Sequence, residues 1–251
     1  MTTLAHKLGR YDSKLIARER FLVFLFIFII YMIVVLRFGL PWLDNYLAVK
    51  GVFPNENISS RVSDYYPLIV AFFALFEGAL LAGTVFGFLL LDEKDNNTIK
   101  AILITPVTLN RYMLYRITIA SMATFIIVLA MLIFINQALL PWWQLILVSI
   151  GASFTTPIVT LFYAVYAENK VQGFAYAKFV SVAGWVILIA WFVSNPFQWL
   201  FGLFPPFWIS KAYWMAFEGN QLWWISLIIG IVSQVALIIL LLKRFNKIVY
   251  S

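Results

Sequence analysis

The stretch Leu91-Asp-Glu-Lys-Asp-Asn-Asn-Thr-Ile-Lys-Ala-Ile-Leu-Ile-Thr-Pro-Val-Thr-Leu-Asn-Arg111 is a polar, charged island between two long apolar runs. A chain that only has to turn back into a bilayer can do so with a few nondescript residues. This island instead carries acidic residues in front, a short amphipathic run behind, and hydroxyls at Thr105 and Thr108 on either side of Pro106 and Val107. Its flanks decide the fold class, because continuous apolar runs of such length are membrane-spanning helices. The island itself has the form of a docking element.

Working outward, the sequence offers six spans: Phe21 to about Leu43, Tyr66 to Leu91, Tyr112 to about Leu139, Trp142 to about Ala167, Phe174 to Asn195, and Trp223 to Leu242. The composition agrees, with 63% hydrophobic, 18% aromatic and only 12% charged residues, far from the profile of a soluble domain. The runs are too long and too continuous for barrel strands. The expected fold is an all-α polytopic membrane protein. No cleavable signal peptide is expected, since residues 1–20 are charged and no small-residue cleavage site follows a short apolar core. With no cysteine and His6 as the single histidine, neither a disulfide framework nor a cysteine- or histidine-based metal site is expected, and no catalytic constellation emerges.

Lys7, Arg10, Lys14, Arg18, Arg20, Lys94, Lys100, Arg111, Arg116, Lys170, Lys178, Lys243, Arg244 and Lys247 fall on one side of this topology. The other side holds Arg37, Lys50, Arg61 and Lys211. Cytoplasmic loops are enriched in Lys and Arg, so both termini and the 92–111 island are expected in the cytoplasm, in the inner membrane. The net charge of +7 is then a matter of topology and anionic headgroups, with no nucleic acid needed as a partner.

Residues 1–20 place Leu4, Leu8, Tyr11, Leu15 and Ile16 on one stripe with basic residues around it, the pattern of an amphipathic helix in the inner interface. Either it is a basic anchor that orients the first span, or an elbow that also braces the island. The loop from Asp44 to Asp64 is polar and has the composition of a plain external connection. Pro196 to Gln221 differs, with Phe197, Trp199, Phe201, Phe204, Phe207, Trp208, Tyr213, Trp214 and Phe217 around Pro205-Pro206. That suits two short helices meeting at the Pro-Pro corner and dipping into the outer leaflet or plugging a cavity, or else an interfacial aromatic belt.

Within the island, carboxylates at 92–95 suit a helix N-terminus, and Ile99, Ile102 and Leu103 form a small apolar face. Pro106 closes the turn and Thr108 is placed to cap the third span. In the second span Ala79, Gly83 and Gly87 follow the small-x-x-x-small spacing of close helix packing, without saying which helix approaches. Glu77 stands well inside that span, where a bare carboxylate costs about 2.5–3.5 kcal/mol on insertion scales. Three roles are open to it: protonated and hydrogen-bonded to a neighbouring helix, paired with Arg37 or another cation, or in contact with cargo. Arg116, Lys178 and Lys243 are expected to snorkel toward the inner interface.

The string Asp92-Glu93-Lys94-Asp95, with Asn97-Thr98-Ile99 and then Thr105-Pro106-Val107-Thr108, resembles the cytoplasmic loop of type-2 ABC exporter permeases. A second match is Asn169-Lys170-Val171-Gln172-Gly173 in the next cytoplasmic loop. Asn97 stands where that family usually has glycine, a mild departure because Asn tolerates a left-handed turn. The likeness covers the chain: elbow at 1–20, six-span permease domain at 21–251, coupling loop at 92–111, re-entrant segment at 196–221. It implies that Asp92, Glu93, Asn97, Thr98, Ile99, Ile102, Leu103, Thr105 and Pro106 couple to an ATPase subunit, with Asn169, Lys170 and Gly173 supporting from the second loop.

The chain contains no Gly-x-x-x-x-Gly-Lys-Ser/Thr phosphate loop. The resemblance therefore implies a separate ATPase polypeptide carrying ATP and Mg, a second permease chain (identical or related), and alternating access for a hydrophobic or amphipathic cargo such as a drug, lipid-linked molecule or peptide. The other classes weighed are a non-catalytic immunity or regulatory protein of the same fold and a lipid-modifying membrane enzyme. The latter would need a second cluster of acidic or histidine ligands that the sequence does not supply.

Overall fold

The computed structural model describes residues 20–50, 61–96, 98, 108–193 and 196–250. Among them, six helices are long and apolar enough to cross a membrane: Leu22–Val49, Val62–Asp95, Leu109–Ile135, Trp142–Tyr166, Lys170–Trp191 and Trp223–Ile248. No strand occurs among the described residues. A helix is the economical solution here, since hydrocarbon offers backbone N–H and C=O groups no other partner. The all-helical, six-span expectation holds. The expected elbow at 1–19 lies outside the described residues, as do Asn97 and residues 99–107 of the coupling loop.

The first span runs past its expected end, continuing through Pro41 to Val49. Proline cannot donate to the carbonyl four residues back, which is that of Arg37. The helix widens to a π-type turn over Val35–Gly39 just before it and then continues from Leu40 to Val49. Gln137 Nε2 donates to the Arg37 carbonyl at 3.4 Å, replacing the missing bond, while Arg37 Nη1 donates to the Phe134 carbonyl at 2.7 Å. The third span stops at Ile135, where Asn136 turns left-handed at φ 54°, a usual helix ending for asparagine.

The second span is the axis of the bundle. Its face at Ala71, Ala74, Ala79, Leu89 and Leu91 is fully enclosed, and it packs along the fourth span. The small-residue stripe is the reason. A Cβ on Gly83 would stand 2.7 Å from Val159 Cβ, and one on Gly87 would stand 2.3 Å from the Tyr163 ring. Hydroxyls line the same seam: Thr156 donates to the Ala79 carbonyl at 2.9 Å and Thr160 to that of Gly83 at 3.2 Å. Thr124 of the third span meets Thr156 at 2.7 Å. The stripe thus serves packing within this chain. The second span also contains a wide turn, Ala71–Glu77, between ordinary helix on either side.

The fourth span breaks at Phe154, ahead of Pro157, into Trp142–Ser153 and Thr155–Tyr166. Gln234 of the sixth span, fully enclosed, spans the break. It donates to the Gly151 carbonyl at 3.2 Å and accepts from the Thr155 hydroxyl at 2.8 Å, the kind of polar contact that holds helices together where water is absent.

The aromatic segment forms a 3-10 helix, Phe197–Leu203, and an α-helix, Pro205–Phe217, that begins at the Pro-Pro corner. The second of these is enclosed by the bundle: Phe207, Ile209, Ala212 and Tyr213 are buried, and Tyr213 donates to the Ala138 carbonyl at 2.6 Å. It packs against the first half of the second span, at the end of the bundle away from Asp92–Asp95. The outer members Phe197, Trp199, Leu200 and Leu203 stay exposed.

Candidate functional site

The second span ends in Asp92-Glu93-Lys94-Asp95, and three of these side chains tie its tip to three other elements. Glu93 is buried, with its carboxylate on the Arg116 guanidinium and the Tyr112 hydroxyl of the third span. Arg116 Nε also donates to the Tyr112 oxygen at 2.9 Å, and its guanidinium lies 5.5 Å from the Tyr112 ring centre. Lys94 Nζ donates to the carbonyls of Ala167 at 2.8 Å and Ala164 at 3.4 Å. Those carbonyls belong to the end of the fourth span, where a helix leaves acceptors without internal partners and favours a cation. Asp92 pairs with Lys170 at the start of the fifth span at 2.6 Å.

Arg116 therefore does not snorkel, contrary to expectation. It lies two turns inside the third span, directly against Glu93. Tyr112 and Arg116 stand four residues apart on one helix face, which is the signal the sequence offered and which a reading by charge alone passed over.

Asn169 caps the fifth span, accepting from the Gln172 N–H at 3.0 Å, and Gln172 Oε1 accepts from the Glu168 N–H at 3.0 Å. This near-reciprocal cap starts the span four residues earlier than expected. It also seats Gly173 against the second span, where a Cβ would fall 2.8 Å from Leu91 Cδ1. Lys170 and Gly173 thus converge with Asp92 and Glu93, on the base of the loop. Thr98 is helical and exposed. Thr108 occupies the cap position of the third span with extended backbone, but its side chain makes no capping bond. Asn97, Ile99, Ile102, Leu103, Thr105 and Pro106 lie outside the described residues.

Glu77 is separate from this cluster. It closes the wide turn of the second span and accepts a hydrogen bond from the Ser181 hydroxyl of the fifth span at 3.3 Å. Arg37, one cation considered for it, is held instead at the end of the third span.

A bundle of six spans, with a charged tip on the second and an enclosed aromatic helix at the far end, is the geometry against which known proteins can be compared. The family profile described as fluoroquinolones export permease protein Rv2686c-like matches residues 12–242. This chain belongs to that family. Two fluoroquinolones export permease proteins of Mycobacterium tuberculosis, from strains CDC 1551 / Oshkosh and ATCC 25618 / H37Rv, are each 33% identical over 186 residues, 72% of this chain and 73% of theirs. No solved structure matches the chain. The export permease family bears out the resemblance to type-2 ABC exporter permeases, and the chain is a multi-pass membrane permease.

Proposed function

We propose that this permease is the membrane subunit of an ATP-driven exporter, driven through its 92–111 loop by a separate ATPase that holds ATP and Mg. In this reading both termini and the loop face the cytoplasm, and two permease chains, identical or related, enclose one pathway across the cell's inner membrane. The cargo is an amphipathic aromatic molecule, of the kind named for the mycobacterial relatives.

One observation carries the reading: the buried Glu93–Arg116–Tyr112 group, flanked by Lys94 and Asp92, joins the base of the loop to the third, fourth and fifth spans. A push delivered to the loop reaches four helices at once through bonds that resist shear. A loop with no mechanical task would need only solvated charges there. The residues from Asn97 to Pro106 would supply the surface that enters the ATPase, and Glu93 the joint behind it.

The test is co-purification of the chain with its ATPase, reconstitution in proteoliposomes, and measurement of ATP-dependent fluoroquinolone transport. Glu93→Ala and Ile99→Asp should each abolish coupled transport while the chain still inserts in the membrane. Full transport by both variants, or transport without any ATPase, would overturn the assignment.

A further inference from the structure

At the end of the bundle opposite the coupling loop, the aromatic segment encloses an open cavity of about 590 Å³. Trp191, Trp199, Trp208 and Trp214 supply much of its wall, with Lys211 and Glu218 on the same helix. Trp199 and Trp208 stand edge to face at 5.1 Å, as do Trp191 and Trp214 at 5.0 Å, so the flat walls hold one another in place. The volume is that of an ordinary small-molecule site, roughly 300–1,000 Å³.

Lys211 is the anomaly. It is only 9% exposed, and among the described residues its ammonium has neither a hydrogen bond nor an ion pair. Among the described residues its ammonium instead faces aromatic rings, 5.4 Å from the Trp199 ring centre, 5.8 Å from Trp208 and 5.9 Å from Phe207. Ring faces relieve part of the cost of a desolvated cation, but they do not replace an anion. Trp214 forms part of the same wall, with its indole N–H sealed inside the protein. A cation with no anion of its own, beside one open cavity, calls for an acceptor from outside the chain. Glu218 lines the same cavity, exposed and without an ion pair among the described residues. It lies seven residues beyond Lys211, hence on the same helix face about 10 Å along.

We propose that this cavity binds an aromatic zwitterion, its carboxylate on Lys211, its rings between the tryptophans, and its amine toward Glu218. The inference rests on the reading above of an amphipathic aromatic cargo and deepens it, adding the charge pattern and the place. Hydrophobic walls alone would accept any flat molecule. The Lys211 cation makes the difference, because a ligand lacking a carboxylate leaves it buried and unpaired.

Binding to the full chain in nanodiscs of neutral lipid tests this, with a fluoroquinolone bearing a free amine, its carboxyl methyl ester, and its N-acetyl derivative as probes. With the unaltered protein the ester should bind about tenfold or more weakly, the scale of one lost charge-assisted hydrogen bond. Lys211→Met should weaken the parent drug and the N-acetyl derivative alike and leave the ester unchanged, and Lys211→Arg should keep most of the affinity. Glu218→Gln should weaken the parent drug and the ester a few-fold and spare the N-acetyl form. Equal binding of ester and parent drug by the unaltered protein would overturn the proposal without recourse to any variant. So would a Lys211→Met effect that appears only as altered retention of anionic lipid, which would make the cavity a headgroup site. Selective binding without ATP-dependent transport by the assembled complex would sink the exporter reading and support the cavity. Coupled transport with binding indifferent to Lys211 would do the reverse.

Discussion

The two ends of this bundle are held by different physics. At the loop end, Asp92, Glu93, Lys94, Arg116 and Lys170 bind helices together through charges and carbonyls. At the opposite end, Phe207, Trp208, Tyr213 and Trp214 fill the same structural need with rings packed against one another. Charged joints are directional and break when one partner is lost, so they suit an end that must move as a unit with something attached. Packed rings carry no directional bond and are sensitive to volume, so this end depends on shape where the loop end depends on pairing.

The contrast can be broken from the loop end first. Arg116→Ala leaves Glu93 buried beside Tyr112 without its cation, and loss of about 3–5 kcal/mol is expected for an orphaned buried charge. Thermal unfolding of the detergent-solubilised chain should show it, and Glu93→Leu combined with Arg116→Met should recover most of the loss. A single-variant effect no larger than that of the double variant would mean the pair is not a joint.

At the aromatic end, Phe207→Ala should cost about 3 kcal/mol by opening a hole among rings, close to the lower end for deleting a buried phenylalanine. Phe207→Leu should cost clearly less, and neither should respond to ionic strength. Tyr213→Phe removes only the bond to the Ala138 carbonyl and should cost about 1 kcal/mol, measurable in the same unfolding assay. The smallest effect belongs to Lys170→Ala at the loop end. Lys170 and Asp92 retain 30% and 18% side-chain exposure, and a pair so placed should contribute well under about 1 kcal/mol. That contribution should fade as salt is raised, which distinguishes it from the buried Glu93–Arg116 pair a residue away.

The six spans were legible because continuous apolar length leaves few alternatives in a bilayer. So was the presence of two short helices at the Pro205-Pro206 corner. The partner of Ala79, Gly83 and Gly87 was not, since small residues announce a close approach and not what approaches; Thr156, Thr160 and Tyr163 of the fourth span answer that only in three dimensions. The base of the 92–111 loop was readable as charged, but the contact of Arg116 with Glu93 is hidden by their distance in sequence, and charge alone points Arg116 to headgroups. Lys211 read as one minor cation of the poorer-charged side. Its significance comes from burial among rings and the lack of a counter-charge, which no spacing rule encodes.

The wide turn at Ala71–Glu77 has a consequence for phase. A π-type turn takes up one residue more than an α-turn, so it offsets by about 100° the angular position of everything that follows on the same helix. A helical wheel drawn straight through Val62–Asp95 therefore puts the lower half of the span on the wrong azimuth. The offset sets which side the stripe Ala79–Gly87 and the acidic tip present, relative to Pro67 and Val70 above. Deleting one residue within Ala71–Glu77 would therefore restore regular winding and leave Glu93 facing Arg116, so that the span should keep its joint to the third span with one residue fewer. The wide turn thus works as a slack link, absorbing one residue near the middle of the span while its lower face stays in register with the third span.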